Sequence, residues 1–540
     1  MNDRIFEKRR NIFILLALSA LLTGLSVTYP KYLGAFEWVT MIPLAAALFA
    51  LSENRDIKLR KIYLFGLFYF ELFYMVGFHF FLYLYPLDFT GLDNFSSVLV
   101  ILVAWLGLPF LQALFGGLMF ITFAYAVRSP LFERLPVLKL FALPVIYSAY
   151  EFTQTLGWWG VPWSRLPLGQ TEILLTLETA GLFGSYFVTA LIVLVNSLLY
   201  FSIRYKEKIK LSRILAGVSL SVFLLNFAAG GIIYLAKESK AERAEKITVG
   251  VVQGNYDSTE KWTSSPVAML ETHLEYTDKC IADGAKLVIW AETALPFSIE
   301  EGDYYTERIS KTAEINEAVI LVGCMQYEGQ ESFNSILCFM PSGEISKTVY
   351  YKRHLVPFGE YVPMRSVIDV VLPFLSELSM LSEDMTAGID SEIFETELGN
   401  FGSLICFDSI YETLAIDSVR DGAELIALST NDSWFSDSAG IYMHNSQAKL
   451  RAIEVNRFVA RSANTGVSSF ITSNGESISE IPPLTEGFAV AELSLLDSRT
   501  LYSVTGNIFV YLCFMAISAV PIYSLVEFII FKRRVTLEEG

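Results

Sequence analysis

Long apolar runs decide first what this chain can fold into. About twenty consecutive apolar residues are needed to cross the hydrocarbon core of a bilayer. Runs of that order recur at about 11–29, 35–52, 62–85, 96–127, 136–153, 176–203, 214–236 and 506–531. Eight spans exceed what a soluble core absorbs, so a polytopic helical membrane protein is expected. The 96–127 run is long enough to include a tilted or interfacial turn near Gly107-Leu108-Pro109. The first span follows RIFEKRRN without a small-residue cleavage site, so it reads as a retained helix, not a removed signal peptide. Between 238 and 505 the charge density returns to that of an ordinary globular domain. The expected organisation is a membrane domain over 1–237 with about seven helices, a globular domain over 238–505, and a C-terminal span with a short tail over 506–540.

Lysine and arginine placement sets the orientation of such a bundle. One side receives Arg4, Lys8, Arg9 and Arg10, then Arg55, Lys58, Arg60 and Lys61. Arg128, Arg134 and Lys139 follow on that side, with Arg204, Lys206, Lys208, Lys210 and Arg213, and finally Lys532, Arg533 and Arg534. The short loops opposite hold only Lys31 and Arg165. Both termini are therefore expected in the cytoplasm, and the 238–505 domain outside it.

The formal net charge is −17, and the basic residues sit mostly in the cytoplasmic loops. The outer domain is thus strongly acidic, which argues against a nucleic-acid partner, because that binding rests on neutralising phosphates. The five cysteines (Cys280, Cys324, Cys338, Cys406, Cys513) show no CxxC or metal-like spacing. Thiols outside the cytoplasm tend to oxidise, and an odd number leaves at least one unpaired. The four histidines (His79, His273, His354, His444) are far apart, so a histidine-based metal site is not expected.

From 247 onward, short β-rich runs alternate with mixed segments. Strands are expected at 247–252, 286–290, 319–323, 335–340, 402–406, 424–428 and 468–472. Several are apolar on both faces, as in a sheet covered by helices. Helices fit 266–282, 303–316, 410–421 and 440–458. The domain is α/β or α+β with one core.

Three strand ends could carry chemistry. LVIWAETALP runs a strand into Glu292, which is either a surface carboxylate at a strand end or a part-desolvated general base. YYKRHLVPFGEYVP places Lys352 and Glu360 in an aromatic loop braced by Pro357 and Pro363, with Gly359 allowing an unusual backbone turn. An ammonium held there could face an oxyanion and lower the pKa of a nearby thiol. GSLICFDSIYE delivers Cys406 into a polar patch. That cysteine reads as a core thiol, half of a disulfide, or a nucleophile.

Taken together, Glu292 in WAETALP, Lys352 in KRHLVPFGEYVP and Cys406 in LICFD resemble the Glu-Lys-Cys triad of the nitrilase (carbon–nitrogen hydrolase) superfamily. With the membrane spans and NDSWF at 431–435, the chain resembles the membrane-embedded apolipoprotein N-acyltransferase family. The resemblance implies an α-β-β-α sandwich outside the membrane. It implies Cys406 as nucleophile, Glu292 as general base or acid, and Lys352 as the oxyanion-stabilising cation. Glu360 matches a supporting glutamate, Trp262 a tryptophan near the active-site mouth, and Trp434 and Phe435 a mobile rim where lipid chains enter. Asp408 belongs to the supporting set but departs from the pattern, since Phe407-Asp408 stands where the family often has Tyr-Glu. After Phe435 the chain reads SDSAG, with serine where glycine is common.

The implied reaction is a two-step acyl transfer without cofactor or metal. Cys406 takes a fatty acyl chain from a membrane phospholipid as a thioester, and the α-amine of a lipoprotein's diacylglyceryl-cysteine then accepts it. The implied setting is the inner membrane with the catalytic domain in the periplasm, and the protein is expected to act as a monomer. GWWGVPWSRLPLGQ at 157–170 fits an interfacial aromatic belt or a simple anchor. Glu71, Glu151 and Glu178 fall in or near spans, where acids are functional suspects. Rival readings are a membrane-tethered nitrilase-type amidohydrolase, and a receptor or transporter with a decayed catalytic domain.

Overall fold

The computed structural model describes residues 9–87, 92–257, 261–371 and 383–538. Arg4 and Lys8 of the basic N-terminal tail, and residues 258–260 ahead of Trp262, lie outside them. The chain forms two compact units. One holds Met1–His79, Leu102–Ile233 and Asn507–Gly540; the other holds Phe80–Ile101 and Tyr234–Gly506.

The first unit is helical. Among the described residues, six helical stretches of the chain are long and apolar enough to cross a membrane: Arg10–Thr28, Pro30–Glu53, Asn94–Arg128, Ser185–Arg204, Ile209–Ala241 and Ile508–Arg534. Two expected spans are not among the six. The 62–85 run becomes a helix, Leu59–Gly77, that carries Arg60, Lys61 and Glu71, followed by a 3-10 turn at His79–Leu84. The 136–153 run becomes Lys139–Thr153, only 15 residues, which at 1.5 Å per residue falls short of a bilayer core of about 30 Å. The 176–203 run breaks at Gly184, whose φ of 82° ends the short Ala180–Phe183 turn before Ser185–Arg204 begins. The helix Asn94–Arg128 continues through Pro109, so the expected turn at 107–109 does not occur.

The 157–170 stretch is not simply a surface belt. Trp163, Arg165, Leu166, Leu168 and Gln170 are buried. Gln170 accepts from Trp38 Nε1 at 2.9 Å and donates to Glu37 at 2.6 Å. Glu151 is buried as well and accepts the N–H of Leu166 at 2.8 Å. Burying unpaired polar groups away from water is costly, and these pairings meet that demand inside the unit.

The second unit is built on two sheets. The first contains β1 (Lys246–Gln253), β2 (Leu287–Trp290), β3 (Leu295–Ser298), β4 (Val319–Glu328), β5 (Glu331–Phe339), β6 (Ile345–Tyr351) and β13 (Gly487–Ser494). Its order is β13-β1-β2-β4-β5-β6, with β3 beside β4. The second contains β7 (Ile393–Thr396), β8 (Gly399–Ile405), β9 (Leu425–Thr430), β10 (Phe458–Ala463), β11 (Ser468–Ile471) and β12 (Ser477–Ile481), in the order β12-β11-β10-β9-β8-β7. The register β1-β2-β4 and β8-β9-β10 is parallel.

Side chains alternate across a strand, and here both faces find a core. Val249, Ile289 and Leu321 pack with Phe401, Leu425 and Phe470 of the other sheet. Val252, Val288 and Ile320 pack instead with Met269, Leu270 and Leu274 of the helix Pro266–Ala282. That helix starts where Ser265 caps Ala268 N–H and Pro266 presets the first turn. Glu412–Arg420 and Ala439–Val455 lie against the second sheet. The result is a helix–sheet–sheet–helix sandwich. The strands β3, β6, β7, β10, β12 and β13 go beyond the seven expected, because Pro296, Lys347, Arg461 or Glu480 interrupts their apolar pattern.

Candidate active site

The three candidate residues stand just past the C-terminal ends of three strands: Glu292 after β2, Lys352 after β6 and Cys406 after β8. Strand ends are where an α/β sheet presents ligand-binding groups. Lys352 Nζ lies 2.9 Å from Glu292 Oε1 and 2.9 Å from Glu360 Oε1. Asn334 Nδ2, from β5, donates to the same two oxygens at 2.7 and 2.9 Å. Two donors and two acceptors thus alternate around a small square. Glu360 Oε2 accepts the N–H of Val356 at 2.8 Å, which fixes the loop that carries it.

Lys352 is 1% exposed. Burial by itself would lower its pKa, but the carboxylates of Glu292 and Glu360 outweigh that and hold it well above the ordinary lysine range. The ammonium is therefore permanent, and two of its three protons are engaged. A third remains for an oxygen that gains charge during a reaction.

Cys406 is partly buried and has φ of +51°, a left-handed conformation that side-chain-bearing residues rarely adopt. Burial raises its thiol pKa, the Glu292 charge adds to this, and Lys352 opposes without prevailing. Lys352 does pull the thiol pKa down, as expected, but desolvation and the nearby carboxylates outweigh it. The resting group is a thiol. All five cysteines are free.

Asp408 ties the site together. Its Oδ1 accepts backbone N–H groups of His354 at 2.8 Å and Arg353 at 3.2 Å; its Oδ2 accepts the Tyr350 hydroxyl at 2.9 Å and the Ile405 N–H at 3.0 Å. Burial raises its pKa to about 6, against the pull of Lys352 and these donors. In the Lys352 loop the left-handed residue is Phe358, φ +63°, not Gly359. The Phe358 N–H donates to Tyr361 O at 2.7 Å, so a hydrogen bond sets that turn rather than glycine's freedom.

Trp262 is 50% exposed and follows Lys261, which donates to the Glu292 carbonyl at 3.0 Å and to Thr293 Oγ1 at 2.7 Å. Trp434 and Phe435 form a single 3-10 turn after β9, Ser433–Phe435. Phe435 meets Phe80 edge-on at 4.9 Å. Ser436, next in the chain, has φ +46° and ψ −158°, a region that glycine fills almost alone.

Residues 248–502 match the carbon–nitrogen hydrolase family, and residues 19–198 match the apolipoprotein N-acyltransferase N-terminal domain. An apolipoprotein N-acyltransferase of Geobacter metallireducens is 30% identical over 403 residues, covering 72% of this chain and 74% of that one. The chain belongs to the apolipoprotein N-acyltransferase family. The family member of Gloeobacter violaceus is 27% identical over 514 residues, covering 93% of this chain and 92% of the other. Among solved structures, Saccharomyces cerevisiae Nit3, of branch 10 of the nitrilase superfamily, is 19% identical and covers 46% of this chain and 90% of its own, with a TM-score of 0.37. Family membership and the apolar helices together make this a membrane-embedded protein.

Four residues at the site were not singled out from sequence: Asn334, Lys261, Asp432 and His444. Cys406 Sγ, an Asp432 oxygen and a His444 ring nitrogen lie within 4.8 Å of one another. Asp432 already bridges His444 Nδ1 and Arg461, each at 2.7 Å, and Arg461 together with the His444 contact holds its pKa far below the usual carboxylate range despite burial. The trio reads as an internal ion-paired brace, not as a metal centre. The NDS triplet was the available signal for Asp432; His444 sits in a helical run where nothing distinguishes it.

Proposed function

We propose that this chain transfers a fatty acyl chain from a membrane phospholipid to the N-terminal α-amine of the diacylglyceryl-cysteine of apolipoproteins. The reading rests on one observation above all: a cysteine on a strained turn beside an ammonium shared by the buried Glu292 and the partly buried Glu360. Cys406 attacks the phospholipid ester carbonyl as Glu292 takes its proton, so that thiolate forms only as the new bond does. Lys352 faces the oxyanion, and the lysophospholipid leaves with that proton. The thioester on Cys406 is then attacked by the lipoprotein amine, whose proton passes to Glu292; the amide forms and the thiol is restored. This is a ping-pong cycle. Glu360 and Asn334 keep Lys352 and Glu292 in place.

Both substrates carry long acyl chains, and each CH₂ buried in the bilayer is worth about 0.8 kcal/mol, so the chemistry belongs at the membrane. Trp262, Trp434 and Phe435 form the mouth through which chains enter. The basic loops support a reading with both termini in the cytoplasm and the catalytic unit on the periplasmic side of the inner membrane. A membrane-tethered amidohydrolase would need neither so many apolar helices nor an aromatic rim.

Purified protein incubated with acyl-labelled phospholipid should become labelled on Cys406. The label should be released by hydroxylamine, pass to a diacylglyceryl-cysteine peptide, and be absent in Cys406→Ala. No acyl-enzyme, or release of the chain only to water, overturns the transferase reading. For the orientation, Glu331→Cys should react in intact cells with an impermeant maleimide, and Lys206→Cys only after lysis.

A further inference from the structure

His444 stands 38 residues beyond Cys406 in sequence, on the helix Ala439–Val455, yet it reaches the turn that carries the sulfur. Its Nε2 lies 3.1 Å from the carbonyl oxygen of Cys406 and 3.0 Å from Ser409 Oγ. Ser409 also donates its hydroxyl to the same carbonyl at 2.8 Å. On the far side of the ring, Nδ1 faces Asp432 Oδ1 at 2.7 Å, and Arg461 holds the other oxygen of Asp432 at 2.7 Å. His444, Asp432 and Arg461 are all buried. Space is tight behind them: a Cβ on Gly466 would come within 2.1 Å of Asp432 Oδ2.

Opposite a carboxylate, Nδ1 carries a hydrogen. The ring donates to the Cys406 carbonyl when Nε2 is protonated as well; the one Ser409 hydroxyl hydrogen, already given to that carbonyl, cannot also link an unprotonated Nε2 to it. With Nε2 protonated, the imidazole is oriented from behind and grips the peptide of Cys406 in front. That peptide needs a grip, because a left-handed conformation at a side-chain-bearing residue costs about 1–3 kcal/mol and persists only when its surroundings over-determine it.

We propose that His444 is a positioning residue for the nucleophile: oriented by Asp432 and Arg461, it holds the Cys406 carbonyl and so fixes the strained turn that aims the sulfur. The inference rests on the reading of Cys406 as the acylated residue. The chain from Arg461 to Cys406 crosses three elements (β10, the loop after β9 and the helix Ala439–Val455), so the aim of the sulfur is set by the second sheet as much as by its own strand.

The experiment compares His444→Gln, which keeps an N–H donor, with His444→Phe, which keeps a ring and its volume but no donor. Three quantities are read in the full-length protein: iodoacetamide alkylation of Cys406 without lipid, the rate and KM of acyl-enzyme formation with labelled phospholipid, and the thermal midpoint. His444→Phe should slow alkylation and acylation by about tenfold or more with KM within about twofold, while His444→Gln stays within about threefold of the parent. Parent-like rates in His444→Phe overturn the proposal, as does a His444→Gln that is as slow as His444→Phe. If His444→Phe does not fold, His444→Asn replaces it. Its shorter amide cannot reach Asp432 and the Cys406 carbonyl together, so it should be slow, and parent-like rates there overturn the proposal equally. Alkylation needs no lipid, so slowed alkylation in a protein that never acylates would sink the transferase reading and leave the positioning role standing.

Discussion

Asp408 accepts the backbone N–H of His354 at 2.8 Å, and with the Arg353 N–H at 3.2 Å that bond fastens the loop of the candidate nucleophile to the loop of the candidate cation. The other oxygen of Asp408 takes the Tyr350 hydroxyl from the last part of β6 and the Ile405 N–H from the end of β8. One buried carboxylate therefore sets the distance between two strand ends that belong to different sheets.

Asp408→Asn should break this clamp. An amide offers one acceptor oxygen and must turn its NH₂ toward donors that the carboxylate accepts. Each buried donor left unmatched costs about 1–3 kcal/mol, so a lowered thermal midpoint is expected together with acyl-enzyme formation reduced by about tenfold or more. Parent-like acylation in the folded variant would show that the two loops do not depend on this residue.

The square around Lys352 makes a second demand. In Glu360→Gln, an amide oxygen turned toward Lys352 leaves its NH₂ facing the Val356 N–H, and the opposite orientation sets donor against donor at Lys352. A fall of about tenfold or more in acylation rate with little change in KM is expected. Asn334→Ala should act in the same direction, since it removes a donor from both glutamates. Steady-state and single-turnover rates on labelled phospholipid read the two effects.

Lys261 titrates against its surroundings. Burial lowers its pKa to about 7, with the Glu292 charge opposing, whereas an unfolded lysine stays charged up to its ordinary range. Between about pH 7 and that range the unfolded chain binds one proton more than the folded one, so stability rises with pH. Relative to Lys261→Met, the parent protein should gain up to about 1.4 kcal/mol per pH unit across this window and change little below it. Thermal midpoints of both proteins from pH 6 upward give the comparison; a constant difference across the series contradicts it.

Ser436 occupies backbone space suited to glycine. Ser436→Gly should raise stability by about 1 kcal/mol, the strain relieved exceeding the chain entropy that glycine adds to the unfolded state. The same change should loosen the turn carrying Trp434 and Phe435, so donor KM is the quantity to watch beside the thermal midpoint. An unchanged or lowered midpoint refutes the strain.

Much of this arrangement is legible in the chain. Glu292 and Cys406 sit where an apolar strand meets a short polar motif, Lys352 and Glu360 lie in a proline-braced aromatic loop, and the structure brings Glu292, Lys352 and Glu360 into one hydrogen-bonded group. The seven apolar strands are equally plain, because strands buried on both faces read as continuous hydrophobic runs, and five of them (β1, β2, β4, β8 and β9) take part in parallel pairs. What stays hidden is hidden for physical reasons. β10 carries Arg461, a charge that argues against a central strand until its partner Asp432 is seen. Asn334 and Lys261 act through hydrogen bonds that leave no trace in spacing. The Leu59–Gly77 and Lys139–Thr153 helices look like spans from their apolar content, yet the first carries Arg60, Lys61 and Glu71 and the second has only 15 residues.

A thiol whose pKa is pushed up has a consequence beyond the catalytic cycle. Peroxides and disulfides react with thiolates, and the ladder from sulfenic to sulfonic acid begins at that form. By keeping Cys406 protonated until a carbonyl arrives, burial and the Glu292 charge make the most reactive atom of the protein inert toward oxidants while it waits. By the same balance, an unpaired Cys406 would resist oxidation on the periplasmic side proposed above.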